Sequence, residues 1–171
     1  MDQHTEMEKS FLKLYDEFAG PIFRHCYFRV SSREVAEDLT QESFMRIWNH
    51  LAEGKVIDNQ KAFLYKIAGN LIIDYYRKKK NVSLDALSEN GFNPTGDDAS
   101  SILDYSEGQH ALLLVEKLEP PYRETITLRY VNDLSISEIS EVIGESENVV
   151  SVRIHRGIEK LKKLFHYEKS N

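Results

Sequence analysis

Leu134-Ser-Ile-Ser-Glu138-Ile-Ser-Glu-Val-Ile143-Gly144, running through Glu145-Ser146 into the stretch Glu147 to Phe165, decides the fold class of this chain. Ser135 with Glu138 three residues later is a capping-box pattern, in which hydroxyl and carboxylate each satisfy an orphan backbone N–H at a helix start. Ile136, Ile139 and Ile143 then share one helical face, and Gly144 offers the left-handed conformation that ends the helix. The turn is short, so a second helix must pack on the first as a helix-turn-helix. In that second helix Val150, Ile154, Ile158, Leu161 and Phe165 fall within a sector about 80° wide and read as one buried stripe. The opposite face carries Asn148, Val152, Arg156, Lys160 and Lys163. It offers an amide for base edges, a methyl-bearing side chain for a thymine methyl, and cations for phosphates. A solvated amphipathic helix fits the same pattern, and the pattern alone leaves both readings open.

Outward from this element, 171 residues with 41% hydrophobic content allow one or two compact domains without disulfides or metals, and two small domains fit well. The single cysteine, Cys26, excludes an intramolecular disulfide and agrees with a reducing compartment. No cationic start leads into an apolar run, and the stretch Ala111 to Val115 is far too short to span a bilayer. A cytoplasmic protein with no membrane partner is expected.

A formal net charge of -6 looks wrong for a nucleic-acid binder, but it is unevenly spread. Residues 1–80 hold 13 Lys/Arg against 12 Asp/Glu, residues 81–110 hold 0 against 6, and residues 111–171 hold 9 against 10. The flanks are near neutral with local basic clusters, so overall acidity does not exclude DNA binding. It implies that such binding is either weak in isolation or suppressed until a partner repositions the middle segment, whose Asp85, Glu89, Asp97, Asp98 and Asp104 compete with DNA if the segment folds back over the basic faces of the free protein.

Strand signals are scarce, and the fold class expected is all-α: two small helical domains joined by a flexible acidic linker, the C-terminal domain a helix-turn-helix. The N-terminal domain, residues 1–80, reads as a helix from Glu6 to Arg29, with Phe11, Leu14, Tyr15 and Phe18 inward and a bend or break at Gly20-Pro21. Helices from Ser32 to Leu51 and from Asn59 to Lys80 follow. Residues 81–105, with Asn90-Gly91, Asn93-Pro94 and paired Asp97-Asp98, form the linker. Residues 106–171 form the second domain, in which Glu119-Pro120-Pro121 starts the helix holding Ile126, Leu128 and Tyr130.

Enzymatic constellations are missing: no Gly-rich phosphate loop, no Gly-x-Ser-x-Gly and no Cys/His set at metal-ligand spacing. No catalytic residue, cofactor or metal is therefore expected. His25 and Cys26 would lie on different faces of a helix, and Cys26 reads as a small core residue. The helix from Asn59 to Lys80 says more. Phe63, Leu64, Ile67, Ala68, Leu71 and Ile72 make a broad apolar face, leaving Lys61, Tyr65, Lys66, Asn70, Asp74 and Arg77 outside, before the run Arg77-Lys78-Lys79-Lys80. Aromatics among cations suit single-stranded nucleic acid, since a ring stacks on an unpaired base while cations hold the backbone. Cations that complement a helix dipole explain the run about as well. In the middle helix Val35, Leu39, Phe44, Ile47, Trp48 and Leu51 form ordinary core, while Glu37, Asp38, Gln41 and Glu42 form an acidic patch, either solvated or a docking site for a basic partner helix.

These segments, in this order, resemble a small two-domain bacterial RNA polymerase sigma factor of the extracytoplasmic-function type in the sigma-70 family. The resemblance covers nearly the whole chain and implies an all-helical, non-enzymatic promoter-specificity subunit. It implies that Glu37-Asp-Leu-Thr-Gln-Glu42-Ser-Phe-Met-Arg-Ile-Trp48 docks on the β′ clamp helices of core polymerase, with Asp38, Leu39, Gln41, Glu42, Met45 and Trp48 as the contacts. By the same likeness, Ala62-Phe-Leu-Tyr-Lys-Ile-Ala-Gly-Asn70-Leu-Ile-Ile-Asp74-Tyr-Tyr-Arg77 recognises and melts the minus-ten element through Lys61, Tyr65, Lys66, Asn70, Asp74, Arg77 and Lys78. The stretch from Leu118-Glu-Pro-Pro through Arg156-Gly157 is similar to the fourth conserved region, which reads the minus-35 element, here through Ser146, Asn148, Val149, Ser151, Val152, Arg153, Arg156 and Lys160. Where that family usually has Gly-Thr-Val-Lys-Ser-Arg, this chain has Asn148-Val-Val-Ser151-Val152-Arg153, which removes one cationic DNA contact. Gly69 likewise stands where the family often has a cation. Partners implied are core RNA polymerase (β′ clamp helices and β flap) and promoter DNA, both duplex and melted non-template strand; the likeness also admits an anti-sigma factor. A stand-alone helix-turn-helix regulator, which would bind operators tightly without polymerase, and a non-DNA adaptor using the acidic helix are the competing classes.

Overall fold

The computed structural model describes residues 3–87 and 107–169, with side chains for 5–82 and 110–168; among them there is helix and no strand. The chain forms two compact units, the first built on α1 (Gln3–Val30), α2 (Arg33–Ala52) and α3 (Gln60–Leu87). The second is built on α4 (Glu107–Glu116), α5 (Pro120–Ile126) with a π-helical turn at Thr127–Val131, α6 (Ile136–Ile143) as far as Ser140, and α7 (Glu147–Lys169).

Local chemistry sets the boundaries in the first unit. Ser32 caps α2 by accepting from the Val35 N–H at 3.4 Å, and Gly54 at φ +73° lets the chain leave that helix. Asn59 starts α3, its side-chain oxygen accepting from the Ala62 N–H at 2.9 Å. The core is made by Leu14, Ile22 and Cys26 of α1, Ala36, Phe44 and Ile47 of α2, and Leu64, Tyr65, Ala68 and Ile72 of α3. An aromatic group joins α1 to α2: Phe11 meets Trp48 edge-on at 5.0 Å and Tyr15 meets Phe44 at 4.8 Å.

Three expectations for this unit need correction. Of the bend or break expected at Gly20-Pro21, the break is absent, because α1 runs through Pro21 and the burial of Ile22 and Cys26 just beyond holds the helix against the missing N–H. Tyr15 is 45% exposed, touching Phe44 from the rim of the core. Finally, α3 does not stop at Lys80 but extends to Leu87, taking the first residues assigned to the linker. The remainder of the expected linker, and the side chains of Asp85, Glu89, Asp97, Asp98 and Asp104, lie outside the described residues.

In the second unit Leu114, Val115 and Leu118 pack with Ile126, Leu128, Leu134, Ile139, Val150 and Ile154. The capping box at the start of α6 forms in both directions: the Ser135 N–H donates to Glu138 Oε2 at 2.8 Å and the Glu138 N–H to Ser135 Oγ at 3.1 Å. Gly144, at φ +71°, ends α6 as its sequence position requires. The π turn, which no periodicity announced, brings the Asn132 N–H onto Thr127 O at 3.0 Å and buries the Thr127 hydroxyl without a partner. At the far end of α7, Glu168 takes His110 Nε2 at 3.0 Å and also pairs with Lys117, so α4 is tied to the end of α7. The Lys117 ammonium holds the Glu168 carboxyl below its usual range.

Candidate nucleic-acid interface

The register of α7 is set by what it buries. Val150 and Ile154 are in the core, Ile158 and Leu161 are half-buried, and Phe165, expected in the same stripe, is 40% exposed. Between them sits Gly157, fully enclosed: a Cβ there would come within 2.8 Å of Ile126 Cγ1 and 3.6 Å of Tyr122 Cβ. Pattern reading missed this residue, since a glycine inside a helical run signals only a weak helix former until its neighbour is known.

Packing on α5 turns Asn148, Ser151, Val152, His155, Arg156 and Lys163 outward, all of them exposed. Asn148, Val149, Val152 and Arg156 line an open depression beside Glu119, Pro121 and Tyr122. Such a ridge can enter a major groove and present an amide, a branched apolar side chain and a guanidinium. The other expected residues are engaged by contacts within the protein, although Ser146 is exposed and Arg153 also lines this depression. Ser146 caps α7, accepting from the Val149 N–H at 3.3 Å. Arg153 bonds Glu145 at 2.9 Å, and Lys160 reaches Glu119 at 3.2 Å across the Tyr122 ring, 5.1 Å from its centroid.

On α3, Lys66, Asn70, Arg77 and Lys78 are exposed, while Lys61 is half-buried and Asp74, also half-buried, pairs with Arg77 at 2.9 Å. Tyr65 does not belong to this surface. It is 1% exposed, its ring edge-on to buried His25 at 5.2 Å, because α1 covers the face of α3 that a lone-helix reading left open. The sequence reading also missed Ile73, 57% exposed on the same face as Lys66, Asn70 and Arg77, and Tyr76, 45% exposed with its hydroxyl donating to Arg29 O. A periodic apolar run hides such residues, since they look like core.

On α2, Asp38 and Gln41 are exposed, and Met45, 59% exposed, stands beside them. Glu37 and Glu42 are tied to Arg33 and Arg46, each at 2.8 Å, and Leu39 and Trp48 are half-buried under the patch. Among the described residues no group of three or more His, Cys, Asp or Glu side chains could hold a metal, and no helix is long and apolar enough to cross a membrane. Burial pushes the Cys26 thiol up to about 11, so at neutral pH it is a thiol packed in the core. In the second unit Leu112, Tyr130, Val131, Leu161 and Phe165 line an apolar groove.

Residues 14–82 match Sigma-70 region 2 and residues 110–161 match Sigma-70, region 4. The ECF RNA polymerase sigma factor SigW of Bacillus subtilis is 32% identical over 170 residues, covering 91% of this chain and 89% of its own length. The RNA polymerase sigma factor SigZ of the same organism is 33% identical over 155 residues, covering 88% and 84%. The ECF RNA polymerase sigma factor BldN of Streptomyces coelicolor is 28% identical over 163 residues, and there this chain spans 91% of itself but 60% of the relative. In fold, the chain is similar to the sigma factor RpoE of Bartonella quintana, solved with the anti-sigma factor NepR, at a TM-score of 0.73 and 20% identity over 92% of this chain and 98% of that one. CnrH, solved with the cytosolic domain of CnrY, gives 0.67 at 21% identity over 94% and 90%. With both regional signatures in order and a relative 32% identical across nearly its whole length, the chain belongs to the ECF sigma factors of the Sigma-70 family.

Proposed function

We propose that the protein is a promoter-specificity subunit that binds core RNA polymerase, directs it to specific promoters and assists their melting, without catalysing a reaction itself. The observation that carries this reading is the outward face of α7, where Asn148, Val152 and Arg156 stand exposed on a helix locked at Gly157 against α5. That face reads minus-35 duplex, with Ser151 beside it; Val149 closes its edge, Ser146 acts through the cap, and Lys160 reaches a phosphate only by leaving Glu119.

The α3 surface holds the melted non-template strand at the minus-ten element. Lys66 and Lys78 meet phosphates, Arg77 reaches one only by leaving Asp74, and Asn70 can bond a base edge. Tyr65 supports that helix from inside rather than stacking on a base, so the strand is held by polar and ionic contacts and by whatever Ile73 covers. Asp38, Gln41, Glu42 and Met45 of α2 form the surface for the β′ clamp helices, with Leu39 and Trp48 as its half-buried floor. The apolar groove beside Phe165 suits the β flap. An anti-sigma factor is a further candidate partner, since the structurally similar RpoE forms a complex with the anti-sigma factor NepR.

A stand-alone regulator is disfavoured, because an operator-binding helix-turn-helix has no use for a second unit similar to Sigma-70 region 2. The deciding experiment is promoter-dependent transcription by the purified chain with core polymerase. Initiation from defined start sites that requires both components supports the proposal. Tight operator binding without polymerase and no initiation with it would replace it by the regulator.

A further inference from the structure

We propose that Glu145 and Arg153 form an internal brace that fixes how α7 leaves the turn and takes Arg153 out of the set of cations facing DNA, making Arg153 a positioning residue. The inference rests on α7 being the recognition helix. Its geometry is a chain of contacts through the helix-turn-helix. Ser140 on α6 donates its hydroxyl to Glu145 O, the Glu145 carboxylate accepts from Arg153 Nη2 at 2.9 Å, and Arg153 lies about two turns into α7. Ser146, next in the turn, takes the Val149 and Val150 N–H groups on its hydroxyl and carbonyl. The two turn residues are therefore fastened to α6 behind and to α7 ahead.

The pair is partly withdrawn from water, with side chains 28% exposed for Arg153 and 41% for Glu145. A planar guanidinium held by a carboxylate in such a place keeps one orientation better than an exposed lysine pair does. Charge decides its role toward DNA. A cation that keeps a carboxylate at hydrogen-bond distance brings no net charge to a phosphate and displaces no counterion. Arg156, one turn further, is exposed on the outward face and is the α7 guanidinium that faces DNA. Glu145 thereby sharpens recognition twice, by holding the helix and by removing a sequence-blind contact.

The test uses holoenzyme reconstituted from the full chain and core polymerase. The probe is a labelled duplex that the parent holoenzyme has enriched from a randomised library, with the same duplex scrambled at its minus-35 segment as competitor. Binding is measured over a salt series. Arg156→Ala should flatten the salt slope by about one unit, whereas Arg153→Ala should leave it as in the parent. Glu145→Gln, which keeps shape but frees the Arg153 charge, should steepen the slope by about one unit and reduce discrimination against the scrambled competitor. If Arg153→Ala fails to fold, Glu145→Gln/Arg153→Gln decides in its place: a parental slope supports the brace, and a slope flattened by about one unit overturns it. A flattened slope for Arg153→Ala, or an unchanged slope and discrimination for Glu145→Gln, overturns the brace while α7 stands. An unchanged slope for Arg156→Ala overturns the placement of α7 on DNA, and the brace with it.

Discussion

Replacing Gly157 by alanine sets two effects against each other, and the structure says which wins. In an exposed helix the change is favourable by about 0.5–1 kcal/mol, because glycine loses more backbone entropy on folding. Here the new Cβ would stand 2.8 Å from Ile126 Cγ1 and 3.1 Å from Ile126 Cδ1. Ile126 is 2% exposed and branched at Cβ, so it cannot swing aside as the tip of a long side chain would. Forcing one methyl into such a contact costs about 1–3 kcal/mol, which leaves a net destabilisation of about 1 kcal/mol. For a unit of this size that lowers the melting midpoint by about 4–8 °C. The effect belongs to the C-terminal unit. Trp48 is the single tryptophan and lies in the N-terminal unit, so its emission should report an unaltered transition while circular dichroism reports the shifted one. Ile126→Ala supplies the control: it costs about 2–5 kcal/mol alone, but in its background Gly157→Ala should be neutral or favourable, because the obstructing atoms are gone. A Gly157→Ala variant that melts higher than the parent, with Ile126 intact, would refute the claim that α5 sets the position of α7.

Reversing Asp38 and Glu42 to Lys should abolish association with core polymerase in a pull-down while leaving helical content unchanged, since Asp38 is exposed and Glu42 bonds only along its own helix; retained binding by the folded variant would remove α2 from the interface. Tyr65→Phe should leave promoter opening near parental, whereas Tyr65→Ala should destabilise the N-terminal unit by about 3–5 kcal/mol, measured by urea unfolding followed at Trp48. A stable Tyr65→Ala protein that is defective only in opening would return the ring to the DNA surface. Cys26 should resist alkylation at neutral pH at any rate faster than unfolding. Burial raises its folded pKa from the usual 9.0 to about 11, so its contribution is fully present below pH 9 and is lost as pH rises through 11. A shift of that size corresponds to about 3 kcal/mol at most, and Cys26→Ser should flatten that part of the stability–pH curve.

Short-range signals were readable wherever the chemistry is local. Ser135 and Glu138 announced the start of α6, Gly144 its end, and the apolar spacing Val150, Ile154, Ile158, Leu161 assigned the inner face of α7. The all-helical class and the two helical units follow from such signals. Phe165 fell outside the pattern because that stripe extends past the elements able to cover it, leaving its ring to line a groove.

The candidate site divides along the same line. Exposure of Asn148, Val152 and Arg156 on α7, and of Lys66, Asn70 and Arg77 on α3, was legible because each lies opposite a periodic apolar face. The status of Tyr65, Ile73, Arg153, Lys160 and Gly157 was not. Apart from Ile73, each depends on a residue distant in sequence or across a turn: His25 for Tyr65, Glu145 for Arg153, Glu119 for Lys160, Ile126 for Gly157. By itself the sequence determined which helices form, where a capping residue or a left-handed glycine marks an end, and which face of most helices seeks a core, since these rest on capping, backbone freedom and hydrophobic period within a few turns. Only the tertiary structure decided which polar and aromatic side chains stay exposed and which are buried or paired, because burial and ion pairing are properties of two surfaces brought together, and one helix carries no record of its neighbour.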